Sequence, residues 1–303
     1  MNFNSDITIA IPVYERYDYF EEAVDSAINQ SLKCNVIVVD NCSSHNKFAD
    51  YVARKSLSNV KYFRNEQNLG AIGNWNQCIN IPNSKWVTIL HSDDMLAANY
   101  VEAISKVISE HPNEAAILCA DETGEMPSTI FNSIGEIKYS KRLAPFNFLF
   151  GNHAGFPGNI FNKAVIGNIR FRDFKGASDY AFWHELSLIK PLLRISNVLA
   201  FYRQSKEQDS ATMNIDEVVI TPTYVYRRDY IRFRNSFIKL LSMYELFQLY
   251  RYYQKSYGRK EEAAFNLSIQ EVNDYFTLLN MGFAKIMLAP ILRCMIYLIK
   301  SIL

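Results

Sequence analysis

Trp86-Val87-Thr88-Ile89-Leu90-His91-Ser92-Asp93-Asp94 is the stretch that decides the fold, because an apolar run suited to a buried strand passes directly into an acidic tetrapeptide. Carboxylates at such a strand end can hold a divalent cation against a diphosphate. An isolated Ser-Asp-Asp would read as a solvated strand end with a helix cap before Ala97. Three upstream segments take it out of isolation. They are Ile9-Ala10-Ile11-Pro12-Val13-Tyr14-Glu15, Val36-Ile37-Val38-Val39-Asp40-Asn41-Cys42-Ser43, and Asn68-Leu69-Gly70 with Gly73-Asn74-Trp75-Asn76.

Apolar runs recur at 7–13, 35–40, 60–63, 86–91 and 115–120, with helical spacing between them, as in Tyr19 to Ile28 and Tyr100 to Ile108. That alternation predicts an α/β fold with a mostly parallel central sheet and helices on both faces. Ligands of such sheets gather at the carboxyl ends of the strands. Tyr14-Glu15, Asp40-Asn41 and His91 to Asp94 all follow strands, so one rim is expected to collect them. From 121 to 160 the pattern weakens under Gly124, Pro127, Pro145, Gly151, Gly155, Pro157 and Gly158, which reads as a loop-rich segment. A helix near Ser178 to Ile189 and a strand near Val198 to Tyr202 follow. Beyond about 215 the chain reads as helix to its end. The expected organisation is one domain over 1–212, with a ligand-binding half 1–120 and a second half 121–212 that faces the other substrate, and then a helical region 213–303.

The bulk numbers exclude several classes. The 303 residues are 49% hydrophobic, enough for one large α/β domain and an appendage. With 32 basic and 31 acidic residues the formal charge is +1, so no global field selects nucleic acid as a partner. The five cysteines (Cys34, Cys42, Cys78, Cys119, Cys294) have neither metal-ligand nor disulfide-framework spacing and fit reduced thiols. Met1 to Asp6 lacks a basic leader, so no signal peptide is expected, and the sequons at Asn41 and Asn266 read as chance. A dinucleotide-dependent oxidoreductase would want G-x-G-x-x-G after the first strand, where this chain has Pro12-Val13-Tyr14-Glu15-Arg16.

In order and spacing, the four motifs resemble the family 2 glycosyltransferases, inverting enzymes of GT-A type that use nucleotide-sugar donors. The resemblance spans roughly residues 6–210. It implies that Pro12, Tyr14 and Glu15 enclose the nucleoside, that Asp40 accepts a hydrogen bond from the base, and that Asn68 and Gly70 form the next donor loop, with Asn74 and Trp75 opening the helix that follows on the donor side. Trp75 reads equally as a core aromatic or a nucleotide contact. Ser92 and Asp93 fall in the donor site, and Asp93 is the expected ligand of Mn²⁺ or Mg²⁺. The family motif usually begins with Asp, and here His91 stands in its place, as a metal ligand, a ribose or diphosphate contact, or a rim residue. Asp94 is expected to cap a helix or support the ligands.

Gly176 to Trp183 resembles the family's helix start that carries the catalytic base, which places that role on Asp179, with Ser178 where Glu is usual. Trp183, one turn on, is either an acceptor contact or core. Phe201-Tyr202-Arg203-Gln204-Ser205 resembles the segment that returns near the diphosphate, so Arg203 either meets the leaving group or forms a buried salt bridge. His153 is a further acceptor-side candidate. The chain has no Gln-x-x-Arg-Trp segment, which implies addition of a single sugar. The resemblance implies a polyprenyl-diphosphate-linked or glycan acceptor in bacterial surface polysaccharide synthesis. The rival reading is a noncatalytic nucleotide-sugar-binding subunit of the same fold.

Ala284 to Leu303 carries a broad apolar face, and Lys285, Arg293 and Lys300 share one sector at about 100° per residue. Arg293 at a bilayer centre would cost about 2.5 to 3.5 kcal/mol. The expectation is therefore a helix lying in the cytoplasmic membrane surface, helped by Arg227, Arg228, Arg232 and Arg234; packing on protein is the alternative.

Overall fold

The computed structural model describes residues 3–128, 131, 135–150, 152, 154–173 and 178–204. His153 and the helical region expected over 213–303 lie outside the described residues. The order is β1 (Phe3–Val13), α1 (Phe20–Ile28), β2 (Lys33–Asp40), α2 (Lys47–Lys55), β3 (Val60–Arg64), α3 (Gly70–Asn80), β4 (Trp86–Ile89), β5 (Met95–Leu96), α4 (Tyr100–Glu110), β6 (Ala116–Gly124), β7 (Ile160–Asn162), α5 (Lys163–Ile166), α6 (Ser178–Ile189) and β8 (Leu193–Arg203). A 3-10 turn spans Asn147–Phe150.

The eight strands form one sheet in the order β3-β2-β1-β4-β7-β6-β8-β5. The pairs β1–β2, β1–β4, β2–β3 and β6–β8 are parallel, while β7 runs against β4 and β6, and β5 runs against β8. Both antiparallel strands are shorter than four residues, too short to show as a periodic run, and the sequence did not reveal them. The sheet is thus mostly parallel, as expected.

Strands such as Ile7-Ile9-Ile11 and Val36-Val38 are buried on both faces and join Phe20, Val24, Tyr100 and Ile104 in one core. Helices α1, α2 and α4 present amphipathic stripes to it. The β1–β4 ladder covers Ile7 to Ala10 and stops two residues short of Pro12, where a residue without an N–H costs no bond to β4. Burial holds the thiols of Cys34 and Cys119 up at about 12, which makes them inert packing groups.

Among the described residues the chain groups into two compact units. One is built from Met1–Pro145, Asn152–Asp173 and Phe182–Thr212, and the other includes Phe146–Gly151 and Phe174–Ala181. Within the second unit, the Tyr180 hydroxyl donates to the Phe148 carbonyl.

Candidate active site

The carboxyl ends of β1, β2 and β4 adjoin along the sheet, because β1 lies between the other two. Tyr14 follows β1 with its ring exposed at the rim. Glu15, at φ 55°, turns the chain in the left-handed region, and its carboxylate accepts from Ser44 N (2.7 Å) and Ser44 Oγ (2.9 Å). The Ser44 backbone bond holds that carboxyl below its ordinary range. Glu15 thereby ties the loop after β1 to the loop after β2.

Asp40 is fully buried. One carboxylate oxygen accepts from Ser43 N (2.9 Å) and Ser43 Oγ (2.6 Å), and the other from the Tyr62 hydroxyl (2.5 Å). These bonds fix the turn after β2. Asn41 organises the next loop: its amide donates to Asn68 Oδ1 and the Gly70 carbonyl, and its oxygen accepts from Leu69 N and Asn65 Nδ2. Gly70 stands at φ +73° with open space around it, which only a glycine adopts readily. Helix α3 opens there, so Asn74 and Trp75 lie inside it rather than at its start. Buried Asn74 donates to the Val39 carbonyl and accepts from Asn65, so it is a strut between α3 and β2.

The His91 to Asp94 tetrapeptide leaves the sheet at β4 and returns as β5 at the far edge. Ligand atoms of His91, Asp93 and Asp94 all lie within 4.8 Å of one another, and Ser92 sits half-buried among them. Asp94 caps no helix, because Met95–Leu96 extends to pair with Phe201 and Ala200 instead. Its Oδ1 accepts from Arg203 N at 3.0 Å; its Oδ2 is buried, makes no hydrogen bond, and lies 3.9 Å from His91 Nδ1. Burial first, then the charge of Asp93, holds the Asp94 carboxyl well above the usual carboxylate range.

The His91 ring is layered between two others, with centroids 5.1 Å from Trp75 and 4.1 Å from Phe156 at interplanar angles of 28° and 27°. Trp75 therefore walls the acidic turn. Phe156 was not legible as a site residue; its only signal was its place in the glycine-rich stretch Gly155-Phe156-Pro157-Gly158. Arg203 is buried and spends its guanidinium on the carbonyls of Asp93 (2.9 Å) and Glu125 (3.0 Å) and on Glu22 (2.6 Å). Of its two expected roles, this geometry is that of the salt bridge, and the residue braces the acidic turn from behind. Trp183 is buried edge-on to Phe182 and Phe156, a core placement that leaves no face for an acceptor. Asp179 stands in the first turn of α6, in the second unit.

Residues 8–173 match the family described as Glycosyl transferase family 2, more than half of the 303-residue chain. The chain belongs to this family. A Campylobacter jejuni relative of this family 2 glycosyltransferase, named GalNAc(5)-diNAcBac-PP-undecaprenol beta-1,3-glucosyltransferase, is 26% identical over 210 residues, 68% of this chain and 67% of its own. The Bacillus subtilis minor teichoic acid biosynthesis protein GgaB is 26% identical over 122 residues, but only 13% of its length is covered. The structure of S. aureus TarS 1-349 with UDP-GlcNAc matches at TM-score 0.62 and 16% identity, over 91% of this chain and 79% of that one. The mannosyltransferase PcManGT of Pyrobaculum calidifontis, solved with GDP-Man and Mn²⁺, matches at TM-score 0.57 and 14% identity, over 95% and 84%. These likenesses establish the GT-A fold. The orphaned buried Asp94 oxygen and the mixed imidazole and carboxylate donors of the family 2 glycosyltransferase fit a divalent cation.

Proposed function

We propose that this glycosyltransferase moves one sugar from a nucleoside-diphosphate sugar, a UDP-sugar in the first instance, to a hydroxyl of a glycan or polyprenyl-diphosphate-linked saccharide, with inversion at the anomeric carbon. The observation that carries the reading is the convergence of His91, Asp93 and Asp94 at the carboxyl end of β4, beside the loops of Tyr14 and Asp40. A UDP-type donor draws support from the TarS complex with UDP-GlcNAc, and a lipid-linked acceptor from the name of the Campylobacter relative. The setting is surface-polysaccharide synthesis at the inner face of the cell membrane. Among the described residues, no helix is long and apolar enough to cross a membrane.

Tyr14 lies exposed at the rim and supplies a face for the base, while Gly70 lets backbone approach the ribose and phosphates. Asp93, with His91 and Asp94 beside it, is positioned to hold Mn²⁺ or Mg²⁺; when bound, the cation supplies positive charge against the leaving diphosphate. Asp179 takes the proton from the acceptor hydroxyl as that oxygen attacks the anomeric carbon from the side opposite the diphosphate. The test is a panel of nucleotide sugars, read first as thermal stabilisation, where a donor at a hundred times its dissociation constant adds about 2.7 kcal/mol. Acceptor-dependent release of nucleoside diphosphate is the second readout. A chain that responds to no nucleotide sugar in either readout refutes the proposal.

A further inference from the structure

The strand order places a further acidic side chain, Asp121, on the rim beyond the β4 turn. Along the rim the sequence of carboxyl ends is β2, β1, β4 and then, beyond the start of antiparallel β7, β6. A nucleotide held over β2 and β1 puts its diphosphate at the β4 turn. The sugar, attached to the far phosphate, then continues toward β6. Four residues past the last β7 pairing, at Ile117, β6 carries Asp121, half-buried at this rim.

Asp121 is tied to the acidic turn through the glycine-rich loop that packs on both. Oδ2 of Asp121 accepts from Thr123 Oγ1 at 3.1 Å, which fixes the rotamer, and Oδ1 faces Gly155 so closely that a Cβ there would stand 2.7 Å away. The same short loop seats Phe156 on His91, and Asn159 anchors it by accepting from Cys119 N and donating to the Gly155 carbonyl. The neighbouring Asp94 Oδ2, buried and without a hydrogen bond, marks this as a place built to receive a group that is not protein.

We propose that the Asp121 carboxylate accepts hydrogen bonds from hydroxyls of the donor's sugar, and that Gly155 is glycine so that the carboxylate keeps its seat beside the acidic turn. A carboxylate offers several acceptor sites in one plane, which suits adjacent hydroxyls of a pyranose. Asp121 is then a determinant of which sugar is accepted. This inference rests on the nucleotide-sugar reading above.

The experiment measures binding of UDP, UDP-glucose, UDP-GlcNAc and UDP-GalNAc by titration calorimetry with Mn²⁺, on the full chain and on Asp121→Asn and Gly155→Ala. In the unaltered chain, one UDP-sugar binds more tightly than UDP. Both variants keep the affinity for UDP within about twofold and lose roughly tenfold for that UDP-sugar, because only the sugar contact is removed. The methyl of Gly155→Ala acts by displacing the carboxylate, so the two variants serve as controls for each other's folding. Equal losses for UDP and UDP-sugar in either folded variant assign Asp121 to the cation or to structure and overturn the inference, as does an unchanged preference for the UDP-sugar. An unaltered chain that binds UDP-sugars no tighter than UDP also overturns it while leaving the transfer reaction standing. A chain that binds none of the four brings down the UDP-sugar reading and this inference together.

Discussion

The main-chain N–H of Arg203 donates to Asp94 Oδ1 over 3.0 Å, joining residues 109 apart in sequence and fixing the acidic turn to the end of the last strand. The Arg203 side chain repeats the link through the Asp93 carbonyl. Arg203→Lys keeps the charge and loses the planar fork that reaches Asp93, Glu125 and Glu22 together. The expected outcome is about 2 kcal/mol of lost stability and roughly tenfold weaker Mn²⁺ binding. Thermal melting and a Mn²⁺ titration check it; weaker folding with unaltered cation affinity removes Arg203 from any part in shaping the turn.

Asp93→Ala removes the carboxylate proposed as the chief cation ligand from a half-buried strand end. Most metal-dependent turnover is expected to disappear, with a melting temperature close to that of the unaltered chain. Near-native turnover with the same metal dependence shows that Asp93 is not the ligand.

Asp179→Asn is isosteric and cannot take up a proton. Its rate is expected to fall by roughly 10²- to 10⁴-fold with donor affinity little changed. Steady-state kinetics and donor titration separate the two, and a parallel loss of donor binding rules out the assignment as base.

Glu114 is buried beneath Arg142 (2.7 and 3.1 Å) and Lys190 (2.8 Å). Burial alone raises its carboxyl, but the bonds from Arg142 and Lys190 outweigh it and hold the group below its ordinary value. A lowered value means that the stabilisation is complete above the unfolded-chain value of about 4.3 and is lost as pH falls through the lower folded value. At pH 7, Glu114→Gln is expected to be less stable by about 2 kcal/mol, with the gap closing as the pH drops below about 4. Denaturant titrations at pH 7, 5 and 3.5 test this; a gap that does not narrow shows that the pair does not act through charge.

Ala284 to Leu303 lies outside the described residues, and its sequence alone predicts binding to a membrane surface. The full chain is expected to float with liposomes of anionic lipid, and a version ending near Gly282 to remain behind. If both stay with the soluble fraction, the segment does not serve as a membrane anchor.

The alternation of apolar runs with helical stretches determined the parallel strands β1, β2, β3 and β4 and the helices between them, since burial on both faces demands continuous Val and Ile. It determined as well that Tyr14, Asp40 and His91 to Asp94 share a rim, because consecutive parallel strands must end on one side. Neither β7 nor β5 could be read that way: with three and two residues they have no period, and form only because β4, β6 and β8 offer open edges. Tertiary structure alone decided what the rim residues do. Asp40 is held by Tyr62 and Ser43, Arg203 by Asp93, Glu125 and Glu22, and His91 is layered between Trp75 and Phe156. A motif states which chemical groups reach the strand ends; which of them remain open to a ligand depends on partners brought in from distant segments, and buried polar groups take such partners wherever folding supplies them.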